Sequence, residues 1–206
     1  NVINPGTQPA QLCANATPVQ FNGFSPAGGI WKGSGISPAG LLTPNSGLLG
    51  TQTYTYRLDL NGCRDSVQIQ TVINPTPIVN AGPDLTACAT GAAVALTNAT
   101  PLGGVWSGAG VNDTGLFSPT AVTPGNINLT YSYSLNGCTA SDILVINVSA
   151  APVVNGGADR NICKNSVPVN LVGAPVGGTW SGTGVNTLGV FTATNNMSGN
   201  ITLTYS

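Results

Sequence analysis

Five cysteines are the residues of this chain whose type and spacing could do chemistry. Cys13, Cys88 and Cys163 follow one another at intervals of 75 residues, and Cys63 and Cys138 are separated by the same interval. The chain has no histidine and no Cys-x-x-Cys pair, which argues against a zinc site and against an activated redox thiol. The cysteines therefore favour structural disulfides, which form in oxidising compartments outside the cytoplasm.

The 75-residue interval between cysteines indicates a repeated unit of that length. The disulfide pairing that we predict from the sequence lies within each copy of this repeat. Cys88 follows an opening strand and Cys138 follows a terminal hairpin turn, so a bond between them would tie the first strand region to the last hairpin. Cys13 and Cys63 repeat this arrangement. We therefore predict Cys13–Cys63 and Cys88–Cys138 bonds, each contributing about 4 kcal/mol in the chain-entropy model. Cys163 is predicted to have its partner beyond this stretch of sequence.

Three tryptophans follow nearly the same period, at intervals of 75 and 74 residues. Trp31, Trp106 and Trp180 each sit in a Gly-Gly-x-Trp-x-Gly-x-Gly segment. We predict that they are buried between sheets, with the flanking glycines permitting close backbone approach. The alternative is an exposed platform on which sugars stack. Recurrence in every copy favours the core, because a scaffold residue must repeat whereas a binding residue need not.

The chain has few other side chains that could take part in catalysis. Without histidine or glutamate the chain cannot form a Ser-His-Asp triad or a Glu-based glycosidase pair. The six aspartates are scattered; Asp84 and Asp159 occupy the same place in consecutive repeats. A calcium site between repeats would need more carboxylates than these, so turn capping is the favoured role. We predict a protein that is not an enzyme and that has no cofactor and no metal.

The charge and hydropathy of the chain exclude two classes of binding partner. Only 5% of the residues are charged and the net charge is −1, so the chain lacks the basic surface that nucleic acid requires. No apolar run approaches the ~18 residues of a membrane helix. We expect neither nucleic-acid binding nor membrane insertion by this segment.

The hydrophobic pattern predicts an all-β fold. Leu129, Tyr131, Tyr133 and Leu135 alternate with small polar residues, as in a half-buried strand. Asn61-Gly62 and Asn136-Gly137 supply the residues of a tight hairpin turn, and no segment shows a sustained helical period. About seven short strands per copy indicate an immunoglobulin-like β-sandwich repeated about every 75 residues in an extended array.

Proline-containing joints suggest the repeat boundaries. We assign residues 6–75 to the first repeat, 76–150 to the second, and 151–206 to a third that lacks its last hairpin. Residues 1–5 echo residues 71–75, so we interpret them as the tail of a preceding repeat.

Four motifs carry a family resemblance: the segments 80–84 and 115–119, the tryptophan segment, and Leu135-Asn136-Gly137-Cys138. This pattern resembles the PKD-like and immunoglobulin-like tandem repeats of secreted surface proteins of Bacteroidota, including gliding-type adhesins and related extracellular filament proteins. The resemblance implies export, often by type IX secretion, and a location outside the cell or on its surface. Asp65-Ser66-Val67 also resembles the O-glycosylation triplet of that phylum, which makes Ser66 a candidate glycosylation site.

These observations together predict a stalk or spacer segment of a large filamentous adhesin. Its expected partners are neighbouring repeats of the same polypeptide, with surface glycans or other cells as further candidates. Two alternatives remain open: a carbohydrate- or ice-binding repeat module, and a self-associating fibre subunit that receives a strand from its neighbour.

Overall fold

The computed structural model describes residues 3–206, which form β-strands, turns and two short 3-10 helices. The prediction of an all-β fold is confirmed. Residues 3–206 include no helix with the length and apolar character needed to cross a bilayer.

The chain divides into two compact units, Asn1–Ser149 and Ala150–Ser206. The first unit holds two groups of six strands, which we call the first sandwich (β1–β6) and the second sandwich (β7–β12). The strands of the first sandwich are β1 Gln11–Cys13, β2 Val19–Gln20, β3 Ile30–Lys32, β4 Leu41–Leu42, β5 Gly50–Leu60 and β6 Cys63–Asn74. Those of the second are β7 Leu85–Cys88, β8 Val94–Ala95, β9 Val105–Ser107, β10 Leu116–Phe117, β11 Gly125–Leu135 and β12 Cys138–Ser149.

Both sandwiches have the same topology. A four-stranded sheet, in the order β1-β6-β5-β3 or β7-β12-β11-β9, faces a two-stranded sheet formed by β2 and β4 or by β8 and β10. The opening strand runs parallel to the last strand in each case, and all other pairs are antiparallel. A single sequence period therefore encodes one complete pair of sheets.

A long hairpin dominates each sandwich. Its two strands contain 11 and 12 residues and are joined by an Asn-Gly turn in which both residues have positive φ, at Asn61-Gly62 and Asn136-Gly137. Asparagine and glycine tolerate this left-handed conformation at low cost, and it matches the twist of the flanking strands. The predicted hairpins are thus present at the predicted positions.

Alternation along the hairpins builds two separate cores. Leu129 and Tyr131 point inward from β11, and the return strand adds Leu144, Ile146 and Val148. The core of the first sandwich contains seven buried residues: Phe21, Trp31, Leu42, Leu48, Tyr54, Tyr56 and Ile73. Each sandwich therefore buries its own apolar face.

The second unit contains four two-residue strands: β13 Val169–Asn170, β14 Trp180–Ser181, β15 Val190–Phe191 and β16 Thr204–Tyr205. Strand β13 pairs with β15, and β14 pairs with β16. The registers Trp180↔Tyr205 and Trp106↔Tyr131 match, so this unit reproduces part of the pattern seen in the second sandwich.

The first residues of the chain correct one prediction. Asn4 pairs with Ser25 in the same way that Asn80 pairs with Thr100 and Asn155 with Ala174. Residues 1 and 2 lie outside the described part of the chain. The described part of the segment 1–5 thus belongs with the first sandwich, because its backbone is bonded there, and the predicted tail of a preceding repeat is wrong for Asn4.

Candidate functional site

The disulfide of the described chain is the feature that departs most from the sequence prediction. Cys13 is bonded to Cys138, at a Cα–Cα distance of 5.5 Å, and the bond joins the first sandwich to the second. Cys63, Cys88 and Cys163 are free and exposed. The predicted Cys13–Cys63 and Cys88–Cys138 pairs are therefore wrong.

Strand direction explains the correction. Strand β1 runs parallel to β6, with Cys13 opposite Asn74 at the far end of that strand. Cys63 is the first residue of β6, so eleven strand steps place it about 36 Å from Asn74. A disulfide requires Cα atoms within about 7 Å. The same register, with Cys88 opposite Ser149, separates Cys88 from Cys138.

Polar contacts surround the disulfide and complete what we call the junction: Gln11, Cys13, Asn74 and the Asn136–Cys138 turn. The side-chain amide of Asn74 donates to the Gln11 side-chain oxygen and to the backbone carbonyl of Asn136, both at 3.3 Å. Asn74 is one of the few buried polar residues, at 8% exposure. The hairpin tip of the second sandwich is thus held against the far end of the first.

The sequence separation of the two cysteines gives this bond a large effect on folding. It closes a segment of 125 residues, which corresponds to about 5 kcal/mol of destabilisation of the unfolded chain in the chain-entropy model. Because the bond spans both sandwiches, it also limits their separation in the folded state. The junction is therefore both a stabilising and an orienting element.

The three tryptophans lie in the core rather than on a surface. Trp31, Trp106 and Trp180 are 2%, 5% and 7% exposed. Each packs against a tyrosine with ring centroids 5.2, 5.0 and 5.2 Å apart and planes inclined by 46–47°. Rings this deeply buried present no open face to a sugar, so these residues do not form the stacking platform considered above.

The tyrosines form a recurring clamp that the sequence analysis missed. The hydroxyl of Tyr131 donates to the Pro101 carbonyl at 2.6 Å and accepts from the Gly104 N–H at 2.8 Å. Tyr56 and Tyr205 make the same two bonds, to Pro26 and Gly29 and to Pro175 and Gly178. The signal was present, because a tyrosine follows each tryptophan at an interval of 25 residues.

The second glycine of each Gly-Gly pair is required by this clamp. A Cβ atom added to Gly104 would lie 2.5 Å from the Tyr131 ring and 2.6 Å from the Ser132 carbonyl oxygen. The equivalent Gly29 and Gly178 show the same close approach to Tyr56 and Tyr205. The tyrosine hydroxyl therefore reaches the loop backbone only where a side chain is absent.

Two aspartates of the second sandwich, Asp84 just before β7 and Asp142 within β12, accept hydrogen bonds from backbone N–H groups. Asp142 accepts from the Ala81 N–H and Asp84 accepts from the Val145 N–H, each at 2.9 Å. Asp159 is exposed. The described residues bring no three histidine, cysteine, aspartate or glutamate side chains together at a metal-binding distance. Asp84 thus fastens the opening segment to β12 through a long-range hydrogen bond, instead of capping a turn as predicted.

The remaining candidate residues lie on the surface. Ser66 is exposed in β6, and its backbone N–H donates to the Asp65 carboxylate at 2.8 Å. At Cys88, the Thr90 hydroxyl, 3.3 Å from the sulfur, and then the Thr90 backbone hold the pKa of the thiol below its ordinary value. Ser66 therefore remains a candidate for modification, and Cys88 is an accessible thiol.

Comparison with known proteins adds little to this geometry. No model of a protein family matches the sequence, and a search of curated proteins finds no match. Among solved structures, the chain is similar to the crystal structure of mouse protocadherin-24 EC1-3, with 10% sequence identity and a TM-score of 0.31. The similarity covers 94% of this chain and 86% of the protocadherin chain. At this TM-score the likeness carries no conclusion about fold or function.

Proposed function

We propose that this chain is a non-enzymatic spacer, a stalk segment of a large exported adhesin at the cell surface or in an extracellular filament. The observation that carries the proposal is the Cys13–Cys138 bond. It fixes the hairpin tip of one sandwich to the far end of the preceding one, which is the arrangement that converts small domains into a stiff, extended series.

The dimensions of the sandwiches support an extended role. Each long hairpin spans about 36 Å from its tip to its far end. The hairpin tip of the second sandwich carries Cys138, and the far end of the first carries Cys13. A tip-to-end link allows the two lengths to add, whereas a side-by-side contact would not. The short joint at 75–79 has two prolines, which restrict its flexibility.

The fold that we assign is an immunoglobulin-like sandwich. Six strands in two facing sheets, a buried tryptophan on the third strand and a long terminal hairpin support this assignment. The motifs at 80–84, 115–119 and 135–138 favour the PKD-like repeats of Bacteroidota surface adhesins within that class. On this assignment the chain is exported by the type IX route, and Ser66 receives an O-linked glycan.

Export has independent physical support from the junction. A disulfide that crosses between two sandwiches persists in an oxidising environment and is reduced in most cytosols. The absence of histidine and glutamate from the sequence supports a role other than catalysis. We propose that adjoining repeats are the direct partners of this segment, and that any contact with glycans or other cells is made by another part of the adhesin.

The spacer proposal is tested by the distance between the two natural thiols of the first unit. Cys63 and Cys88 lie at the outer ends of the joined sandwiches and are exposed. In a Cys163→Ser variant, nitroxide labels on these two cysteines can be compared by double electron–electron resonance. Tip-to-end stacking predicts a narrow distribution near 70 Å, the sum of two strand lengths of about 36 Å.

The matched control is the same labelled chain with Cys13→Ser and Cys138→Ser. Its distance distribution should broaden, because the junction then rests on hydrogen bonds alone. A Cys63–Cys88 distance below about 40 Å in the oxidised chain, the length of one hairpin, would contradict the spacer proposal.

A further inference from the structure

The two exposed cysteines of the first unit occupy the positions of the two bonded ones. Cys63 opens β6 directly after the Asn61-Gly62 turn, as Cys138 opens β12 after Asn136-Gly137. Cys88 closes β7, as Cys13 closes β1. Each sandwich therefore carries one cysteine of the hairpin-tip type and one of the strand-end type.

Local geometry at the equivalent positions is the same. The turn residues have φ values of 51° and 77° before Cys63, and of 51° and 79° before Cys138. The hairpin closes with Leu60 opposite Cys63 in one sandwich and Leu135 opposite Cys138 in the other. At the other end, Cys88 lies opposite Ser149 as Cys13 lies opposite Asn74. The free cysteines are thus presented as the bonded ones are.

We propose that Cys63 and Cys88 are the two unfilled halves of further junctions, each made with an adjoining repeat of this same type. Cys88 bonds to the hairpin-tip cysteine of a repeat placed after the second sandwich. Cys63 bonds to the strand-end cysteine of a repeat placed before the first. The repeats then form a ladder in which every disulfide links one repeat to the next. This inference rests on the proposed spacer function and specifies that a disulfide bond joins the segment to each neighbouring repeat.

The bond requires an oxidant of the disulfide class, such as oxidised glutathione. The thiolate of one cysteine attacks the oxidant's S–S bond, forming a mixed disulfide and releasing one glutathione thiolate. The second cysteine's thiolate then attacks the protein sulfur and releases the other. The two protein thiols lose two electrons and two protons, and the oxidant gains them as two thiols. The lowered pKa of the Cys88 thiol favours the attacking thiolate.

The surroundings of Cys88 differ from those of Cys13 in one respect. Asn74 and Gln11, which hydrogen-bond at the observed junction, correspond to Ser149 and Thr86 in the second sandwich. Shorter hydroxyl side chains reach less far toward a docked hairpin. A junction at Cys88 therefore relies more on its covalent bond than the junction at Cys13 does.

The experiment adds one complete repeat to the full chain. A copy of residues 77–151, placed before Asn1, keeps the period and positions a second copy of Cys88 ahead of Cys63. The copy carries Thr86→Ser and Thr139→Ser, so that its Cys88 and Cys138 peptides differ in mass from the original ones. The protein is refolded in a glutathione redox buffer, alkylated, digested without reduction and mapped by mass spectrometry. We expect a peptide linking the copied Cys88 to Cys63, with near-complete loss of alkylation at both and full alkylation of the original Cys88.

Two controls make the result decisive. The Cys13–Cys138 peptide in the same digest shows that the array has folded, and Cys63→Ser should restore alkylation of the copied Cys88 without affecting that peptide. The proposal is overturned if Cys63 and the copied Cys88 remain alkylated while Cys13–Cys138 forms, or if the copied Cys88 bonds within its own repeat. Either outcome leaves the Cys63–Cys88 distance of the unextended chain to judge the spacer proposal separately.

Discussion

The two sandwiches of the first unit share what we call the frame, namely the buried tryptophan, the tyrosine clamp and the close glycine. They differ in the other core residues, which we call the filling. At equivalent places the first sandwich has larger or smaller core residues than the second: Phe21 against Leu96, Leu42 against Phe117, Tyr54 against Leu129, and Ile73 against Val148. Between Trp31 and Trp106 and between Tyr56 and Tyr131 the residue types and ring geometry are unchanged.

This difference shows which contacts define the fold. Exchanges such as Phe21 for Leu96 and Leu42 for Phe117 move volume from one side of the core to the other, which cores tolerate when total volume is kept. The tryptophan, the tyrosine clamp and the close glycine cannot be exchanged in this way, because they depend on particular hydrogen bonds and on a missing side chain. The frame should therefore respond alike in both sandwiches, and the filling should not.

The largest effect is expected from truncating the tryptophans. Trp31→Ala and Trp106→Ala should each lower the free energy of unfolding by about 3–5 kcal/mol, the usual cost of removing a large buried side chain. Denaturant unfolding followed by circular dichroism would measure both. A cost below 1 kcal/mol for one of the pair would show that the frame is not equivalent in the two sandwiches.

The close glycine should give the next effect. Gly104→Ala places a Cβ atom 2.6 Å from the Ser132 carbonyl, and such overpacking typically costs about 1–3 kcal/mol. Gly29→Ala should cost the same in the first sandwich. Gly103→Ala is the matched control: its φ is 89° but its Cβ would meet nothing within 4 Å, so only about 1 kcal/mol of backbone strain is expected. Equal costs at Gly103 and Gly104 would refute the steric explanation.

The tyrosine hydroxyl should give a moderate effect. Tyr131→Phe leaves the Gly104 N–H and the Pro101 carbonyl without their partner, at an expected cost of about 1–3 kcal/mol. Tyr56→Phe removes the same pair of bonds in the first sandwich and should cost as much. Thermal unfolding of the two variants tests this, and an unchanged stability in both would remove the clamp from the frame.

The smallest effect, of opposite sign, is expected in the filling. The Tyr54 hydroxyl is buried without a hydrogen-bond partner, and Leu129 at the equivalent place has no hydroxyl. Tyr54→Phe should therefore stabilise the protein by about 1 kcal/mol, the lower end of the cost of an unsatisfied buried group. A loss of stability on this substitution would mean that the hydroxyl has a partner after all.

The burial of Tyr54 also predicts a pH dependence of the free energy of unfolding. Burial raises the pKa of Tyr54 above 10.0, so the folded state holds this proton more tightly than the unfolded state. The stability that the protonated Tyr54 side chain contributes is fully present below the pKa of this tyrosine in the unfolded chain. It is lost as the pH rises above about 10. Tyr54→Phe should remove this alkaline component. The free energy of unfolding should be measured from pH 8 to 11 for the unaltered chain and for Tyr54→Phe. A parallel decline of the two values would contradict the assignment of this pH dependence to Tyr54.

Local features of this chain were predictable from sequence because they depend on neighbouring residues. Alternation along 129–135 and the Asn-Gly turns specify the hairpins. The repeated tryptophans also lie in the core. These features require only side-chain period and turn chemistry.

Cysteine pairing was not predictable in the same way because it depends on strand direction. The 75-residue period is satisfied by Cys13–Cys63 and equally by Cys13–Cys138, since both patterns repeat along the chain. Only the parallel register of β1 on β6 places Cys13 at the end remote from Cys63. No local motif near Cys13 encodes that choice, so the junction emerges only from the assembled sheet.

The central claim is that two successive sandwiches are joined by a disulfide rather than each being closed by its own. It is tested most directly by mapping the disulfides of the oxidised 206-residue chain after alkylation and digestion without reduction. The account predicts one linked peptide, Cys13–Cys138, with alkylated Cys63, Cys88 and Cys163. Peptides linking Cys13 to Cys63 and Cys88 to Cys138 would contradict it.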